Sequence, residues 1–352
     1  MTNNPKTDIK DLTKQELASW LHDHGLRSFH TDQIFKWIYI RQADSFHTMT
    51  DLSKVARKLL SSHFIIPRLD IKDMVKSEDG SKKYLFQLTD ERYIESVLIP
   101  EKDHYTLCIS TQVGCAQGCL FCMTAKAGFI RNLTPGEITA QIRDIKNDMI
   151  DSTSLKNIVF MGMGEPLANF ANVIRAIEVI TDGDSGFKFS TRRVTVSTAG
   201  LVPKLSDLGR STSVNLAISL NATDDKKRSM LMPINRKYPI KKLMEACEQY
   251  PLPNRRKITF EYILIKGMND SDEDATRLIE LLRPIKAKIN LIPFNEHKGS
   301  EFKRPSDDTV RNFQKILSDN GYTTIVRFSK GRDISAACGQ LGADLNQPGD
   351  YP

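Results

Sequence analysis

The sequence predicts an α/β chain built on a partial (β/α)6 barrel, preceded by a small N-terminal helical unit and a short antiparallel β extension. Three changes of pattern along the chain predict it. From residue 104 onward, β-branched apolar runs near 105–111, 157–163, 192–198, 213–219, 257–265 and 287–292 alternate with amphipathic stretches near 135–149, 169–181, 199–208, 239–250, 271–284 and 307–319. Six strands are too few to close an eight-fold barrel, and a last apolar strand near 323–328 leads into a Gly-containing tail. Between 69 and 99 the period falls to two, in runs at 69–75, 82–88 and 93–99 separated by Ser77-Glu78-Asp79-Gly80 and Thr89-Asp90-Glu91-Arg92. Before residue 70 the pattern is helical. The expected division is 1–70 for the helical accessory domain, 71–103 for the β extension, 104–330 for the barrel and 331–352 for the tail.

The first helix starts at the capping box Thr13-Lys14-Gln15-Glu16, buries Leu17, Trp20 and Leu21 at i, i+3, i+4, and stops at Gly25. Thr31 is expected to cap a second helix carrying Ile34, Trp37 and Ile38, and Asp51 a third carrying Val55, Leu59 and Leu60. In the barrel, Thr134-Pro135-Gly136-Glu137 opens a helix with Thr134 as N-cap, Pro135 at N1 and Glu137 at N3.

The composition is that of a soluble globular protein: 352 residues, 40% hydrophobic and 26% charged. No apolar run approaches the roughly 18 residues a membrane span needs. The stretch from Met1 to Lys6 lacks the apolar core of a signal peptide, so a cytoplasmic location without a membrane partner is expected. In that compartment six cysteines point to metal or redox chemistry rather than structural disulfides. Nothing demands more than a monomer. The net charge of +7 suits a polyanionic partner. Arg192-Arg193, Lys226-Lys227-Arg228, Arg236-Lys237 and Arg255-Arg256-Lys257 are candidate RNA phosphate contacts, each also readable as a solvated face.

The chemistry concentrates in one loop, Cys115-Ala116-Gln117-Gly118-Cys119-Leu120-Phe121-Cys122, just past the first barrel strand. Three thiolates spaced C-x3-C-x2-C are soft ligands for zinc or an iron–sulfur cluster. Structural zinc wants four protein ligands, and no fourth Cys or His follows at zinc spacing. A [4Fe–4S] cluster held by three cysteines leaves one iron open to an exogenous ligand. Further on, Gly162-Met163-Gly164-Glu165-Pro166 follows the second strand. There the glycines allow close backbone approach and Glu165 can accept from an ammonium. Ser197-Thr198, Ser219-Leu220-Asn221 and Asn295 end the third, fourth and sixth strands on the same rim. They are suited either to ribose hydroxyls and a carboxylate or to capping the next helix. Cys338 lies among small residues in the tail, placed to react rather than to pack. Cys247 follows Ile240, Leu243 and Met244 at helical spacing and reads as buried. His22 and His24 read as surface residues, and Glu95, taken alone, as a carboxylate on the wet face of a strand.

The cysteine spacing, with an aromatic before the last Cys, resembles the radical S-adenosylmethionine (SAM) superfamily, in which the open iron chelates the amino and carboxylate groups of SAM and a GGE-type motif binds the amino group. Together with Gln112-Val113-Gly114-Cys115, Arg131-Asn132-Leu133, Arg192-Arg193-Val194-Thr195, Met232-Pro233-Ile234-Asn235 and Ala337-Cys338-Gly339-Gln340-Leu341, nearly the whole chain resembles the RlmN/Cfr family of RNA adenine methyltransferases. The resemblance implies a radical SAM barrel and one [4Fe–4S] cluster on Cys115, Cys119 and Cys122. It implies SAM held by Gly164, Glu165, Ser197, Ser219, Leu220, Asn221 and Asn295, with two SAM used per turnover. The implied substrates are adenines of 23S rRNA and tRNA, and the implied electron donor is a low-potential protein such as flavodoxin or ferredoxin. Pro166 after Gly-Glu favours methylation at carbon 2 over the carbon-8 branch, which tends to carry Ala there. A non-catalytic, zinc-stabilised RNA-binding module is the alternative from another class.

Adenine carbon 2 is electron-poor and does not attack a methyl cation equivalent, so a radical route is needed. By resemblance, the Cys338 thiolate takes a methyl from a first SAM, and a 5′-deoxyadenosyl radical from a second removes a hydrogen from that methyl. The carbon radical adds to adenine. Glu95 removes the ring proton, and Cys108 attacks the Cys338 sulfur, forming a transient disulfide and releasing methylated RNA. That bond requires the strand at 105–111 and the tail to meet, with Cα atoms within about 7 Å.

Overall fold

A computed structural model describes residues 6–297 and 300–342, so the end of the expected tail, 343–352, lies outside the described residues. Its centre is a ten-stranded sheet in the order β14-β13-β12-β11-β10-β9-β6-β5-β4-β3. The parallel part comprises β6 (Tyr105–Cys108), β9 (Leu155–Phe160), β10 (Val194–Thr198), β11 (Asn215–Ser219), β12 (Ile258–Leu264), β13 (Ala287–Pro293) and β14 (Thr324–Val326). The crossovers carry α5 (Pro135–Asp148), α6 (Phe170–Thr181), α7 (Leu205–Ser211), α8 (Asp225–Leu231), α9 (Ile240–Glu248), α10 (Asp272–Leu282) and α11 (Asp307–Asp319). Among the described residues β3 and β14 are both unpaired on their outer sides, so the sheet stays open: a partial barrel with α/β connections. Its strands are near-continuous apolar runs because both faces are covered. Ile258, Phe260, Tyr262 and Leu264 of β12 are all buried.

The antiparallel extension is β3 (Asp70–Lys76), β4 (Lys82–Gln87) and β5 (Tyr93–Pro100), joined to the barrel through β5 and β6. Before it stand α1 (Lys14–Asp23), α2 (His30–Phe35) and α3 (Lys54–His63), with β1 (Thr7–Asp8) paired to β2 (Phe64–Ile65). Thr13 and Thr134 both form complete capping boxes, and Gly25, at φ +73°, follows the end of α1. Two of the expected caps are different. Thr31 lies inside α2, which has no side-chain cap. Ser53 caps α3, because Asp51 instead accepts from Trp37 Nε1 at 2.6 Å.

Three further departures have local causes. The first barrel strand stops at Cys108 because side chains replace the ladder beyond it: Ser110 N–H donates to Gln141 Oε1 (2.8 Å), and Gln141 Nε2 donates back to the Ser110 carbonyl (2.9 Å). The helix expected at 199–208 begins only at Leu205, since Gly200 is at φ +100° and a 3-10 turn spans Val202–Lys204. Helix α8 and the hairpin of β7 (Gln112–Gly114) and β8 (Phe129–Asn132) are not foreseen by the periodicity, which elements this short barely register.

Helix α5 joins the parts. Its inner face carries Gln141. Its outer face carries Arg143, fully buried, which donates to the Ala43 carbonyl (2.9 Å), the Pro67 carbonyl (3.2 Å) and Asp44. Asp144 beside it accepts from Arg68 Nη1 and from Leu69 N–H, each at 2.8 Å. At the N-terminus of α5, Gly136 N–H donates to Asp11 Oδ1 (2.8 Å), and a Cβ there would stand 2.7 Å from the same oxygen. Arg143→Met should therefore leave buried carbonyls unmet, at about 1–3 kcal/mol. Thermal unfolding is expected at lower temperature, with protease cutting between the helical unit and β3 before it enters the barrel. An unchanged melting point and digestion pattern would show that the dock does not depend on this guanidinium.

Candidate active site

The cysteine loop leaves β7 at Gly114, whose φ of +73° and approach to the Gly128 carbonyl leave no room for a side chain. Cys115 N–H donates to that carbonyl (2.8 Å), and Leu120 N–H donates to the Leu231 carbonyl (3.0 Å), tying the loop to α8. The loop ends as α4 (Met123–Lys126) begins. Cys115, Cys119 and Cys122 line one pocket of about 160 Å³, open to solvent at its mouth. Burial pushes the Cys115 thiol up to about 12 and raises Cys119 and Cys122 as well. The donor set fits a larger cluster with one open iron better than a closed zinc site.

Across the pocket, Gly164 sits at φ +99° against Gln112. Glu165 is buried with both oxygens in use: Oε1 accepts from Leu167 N–H (3.0 Å) and Oε2 from Ala199 N–H (2.7 Å). Burial raises its pKa, and these bonds offset only part of the rise. Gly164, Glu165, Ser197, Ser219 and Asn221 all line the cavity together with Cys338. Asn221 holds a left-handed φ of 58°, with Oδ1 accepting from Ile263 N–H (2.9 Å). The structure does not bring the other two rim residues to the cavity wall. Leu220 is core, its carbonyl taken by Arg228 Nε at 3.0 Å. Asn295 donates to Ser329 Oγ (2.9 Å) and to the Cys338 carbonyl (3.2 Å), so it holds the tail.

That tail is seated at both ends. Before Cys338, Gly331 N–H donates to Asp79 Oδ2 (2.7 Å) and Asp333 Oδ1 accepts from Ser77 Oγ (2.6 Å). After it, Met123 N–H donates to the Gly339 carbonyl (2.7 Å) and Thr124 Oγ1 to the Leu341 carbonyl (2.7 Å). Cys338 itself is exposed on the pocket, with surrounding protein pushing its thiol up to about 11. Cys108 is buried on β6, and burial, reinforced by the charge of a nearby Cys338 thiolate, raises its pKa strongly. Both thiols are free, as are the other four cysteines.

Glu95 departs from the wet-face reading: it is 4% exposed on β5. Its Oε1 lies 3.0 Å from Lys83 Nζ and its Oε2 accepts from Gly342 N–H at 2.6 Å, so the carboxylate also holds the tail. Cys247 is buried, and His22 and His24 are exposed. Of the basic clusters, Lys226-Lys227-Arg228 is not a phosphate face: Lys227 pairs with Asp274 (2.9 Å) and Arg228 is fully buried. Arg192, Arg193, Arg236, Lys237, Arg255 and Lys257 are exposed.

Sequence reasoning gave no role to Lys83, Ser110 or Glu261. Only Glu261 left a usable signal, an acid within the apolar run of β12; it lines the pocket and accepts from Asn290 Nδ2 at 2.9 Å. A Cβ on Gly164 would lie 2.5 Å from Gln112 Cβ, whereas one on Gly183 would meet nothing within 4 Å. Gly164→Ala is thus expected to cost about 1–3 kcal/mol and to weaken SAM binding. Gly183→Ala should stay within about 0.5 kcal/mol of the parent. Equal melting and equal SAM affinity for the two variants would contradict this.

The family model of the radical SAM superfamily matches residues 109–279, and that of the ribosomal RNA large subunit methyltransferase N-terminal domain matches 7–66. The chain is 60% identical over 342 residues to the dual-specificity RNA methyltransferase RlmN of Desulfosudis oleivorans, covering 97% of this chain and 92% of that one. It is 52% identical to RlmN of Geotalea uraniireducens, covering 97% and 98%. The crystal structure of a radical SAM methyltransferase from Sphaerobacter thermophilus matches with a TM-score of 0.90 at 42% identity, over 96% of this chain and all of that one. On fold, site and likeness together, the chain belongs to the RlmN family of radical SAM RNA methyltransferases.

Proposed function

We propose that the protein methylates carbon 2 of adenine in 23S rRNA and in tRNA, with Cys338 as the carrier of the methyl group. One arrangement supports this reading above the others: Cys338 opens on the pocket lined by Cys115, Cys119, Cys122 and Glu165, with Cys108 behind it. A [4Fe–4S] cluster on the three loop cysteines supplies, when bound, the single electron that starts radical chemistry on SAM. Gly164, Glu165, Ser197, Ser219 and Asn221 orient SAM. Leu220 and Asn295 contribute from behind the rim, Asn295 through its bond to the Cys338 carbonyl.

The chain's own residues then act in turn. The Cys338 sulfur, once deprotonated, attacks the methyl carbon of one SAM and takes the methyl, and S-adenosylhomocysteine leaves as the neutral thioether. Loss of a hydrogen atom from that methyl, to the radical derived from a second SAM, leaves a carbon-centred radical on the Cys338 side chain, which bonds to carbon 2 of adenine. Glu95 accepts the proton that carbon 2 gives up. The Glu95 oxygen bonded to Gly342 N–H must be released first, so tail and base move together. The unpaired electron left by the addition passes to a one-electron acceptor, and the Cys108 thiolate finally attacks the Cys338 sulfur. A sulfur–sulfur bond replaces the sulfur–carbon bond, the freed methylene takes a proton to become the methyl group, and external dithiol restores the two thiols. Exposed arginines and lysines such as Arg236 and Lys237 provide phosphate contacts, and a low-potential electron donor serves the cluster.

In iron-reconstituted protein, Cys108→Ala should accumulate a covalent protein–RNA adduct by mass spectrometry, and Cys338→Ala should give neither adduct nor methylated adenosine. RNA methylation by Cys338→Ala would refute the carrier role. Glu95→Gln should slow product release about 10²–10⁴-fold while the adduct persists. A product rate equal to that of the parent would remove Glu95 from the role of base.

A further inference from the structure

Arg228 stands on α8 with its side chain fully buried, although its neighbours Lys226 and Lys227 make the segment look like a surface cluster. Its guanidinium meets only neutral acceptors. Nε donates to the Leu220 carbonyl (3.0 Å), Nη2 to the carbonyls of Ala199 (2.8 Å) and Ser219 (3.2 Å), and Nη1 to Asn235 Oδ1 (2.9 Å). Among the described residues it forms no salt bridge. Carbonyls offset part of the desolvation cost of a buried cation, and the nearest acid, Asp225, reaches it through Asn235, whose Nδ2 donates to Asp225 Oδ1 at 2.9 Å, rather than by a direct ion pair. Burial lowers its pKa to about 10, so it stays charged at neutral pH.

The charge lies behind one particular wall. Cys119 packs in a small apolar cluster with Ala199, Leu231 and Met232. Arg228 bonds the carbonyl of Ala199, its own carbonyl accepts from Met232 N–H (2.7 Å), and Leu231 accepts from the cysteine loop at Leu120. The cation is therefore fixed to the residues against which one thiolate of the loop rests.

We infer that Arg228 is the buried counter-charge of the iron–sulfur cluster, placed to stabilise its reduced state through the Cys119 side of the loop. The inference rests on the reading of Cys115, Cys119 and Cys122 as cluster ligands. Reduction adds one negative charge to a site already carrying three thiolates. A fixed cation in a low-dielectric wall favours that electron and raises the potential.

The test compares the full-length parent, Arg228→Gln and Arg228→Lys after anaerobic reconstitution, by redox titration followed through the electron paramagnetic resonance of the reduced cluster. Arg228→Gln, which keeps donors but loses charge, should titrate at a more negative potential. Arg228→Lys, which keeps the charge, should titrate with the parent even if it melts lower. Identical potentials in all three proteins, or equal shifts in both variants, would overturn the assignment. Should Arg228→Gln take up no cluster while Arg228→Lys does, and the two cluster-free proteins melt together, the charge is again what matters. Loss of the cluster in both variants, or a cluster-free Arg228→Gln that is already unfolded, would make Arg228 structural. A parent that takes up no iron and sulfide would instead defeat the cluster reading itself.

Discussion

The site depends on how the tail crosses the cysteine loop. Two bonds set this: Met123 N–H to the Gly339 carbonyl and Thr124 Oγ1 to the Leu341 carbonyl, both 2.7 Å, on either side of Gln340. They reach from the first turn after Cys122 to the residues following Cys338, two segments more than 200 positions apart in the sequence. Gly339, at φ +86°, lets the chain turn there, and a Cβ would stand 3.0 Å from the Phe121 carbonyl. The anchors at Asp79, Asp333, Asn295 and Glu95 only make sense once this crossing exists. Each is a polar group on the β extension, the rim or the tail itself that fixes one part of the strap. The β extension is thus part of the site: its first turn holds the strap, and its last strand supplies Glu95.

Two fully buried arginines organise the rest. Arg143 closes the seam between the helical unit and α5, while the opposite face of that helix fixes Ser110 through Gln141. One helix therefore transmits the placement of the accessory domain to the end of β6, where Cys108 sits. Arg228 performs the matching task on the far side, gathering the carbonyls that end β11 and follow β10. Buried charges of this kind are costly, and both act by satisfying backbone groups that no secondary-structure ladder reaches.

How much of this was legible in the sequence follows from the range of each interaction. The barrel, the hairpins and the capping boxes at Thr13 and Thr134 are local patterns, and they appear where the pattern puts them. The cysteine loop and the Gly162–Pro166 segment were readable because their spacing is itself the chemistry. Arg228 was misread because charge runs are judged by their neighbours in sequence, and of those neighbours Lys226 is exposed while Lys227 turns to Asp274. Asp51 was misread as a cap because its true partner, Trp37, lies a helix away. Lys83 and Gly342 could not be found at all: their relation to Glu95 exists only after the tail has folded back.

The central claim is that the Cys338 sulfur and the loop cysteines share one pocket. The most direct measurement is electron–nuclear double resonance on the reduced, reconstituted protein carrying a ¹³C-methyl group on Cys338. Dipolar coupling falls steeply with distance, so a strap seated across the loop predicts a resolved ¹³C coupling to the cluster, weakened when Asp79 and Asn295 are both replaced by Ala. A cluster spectrum without ¹³C coupling in the unsubstituted protein would place the methyl away from the loop and contradict the account.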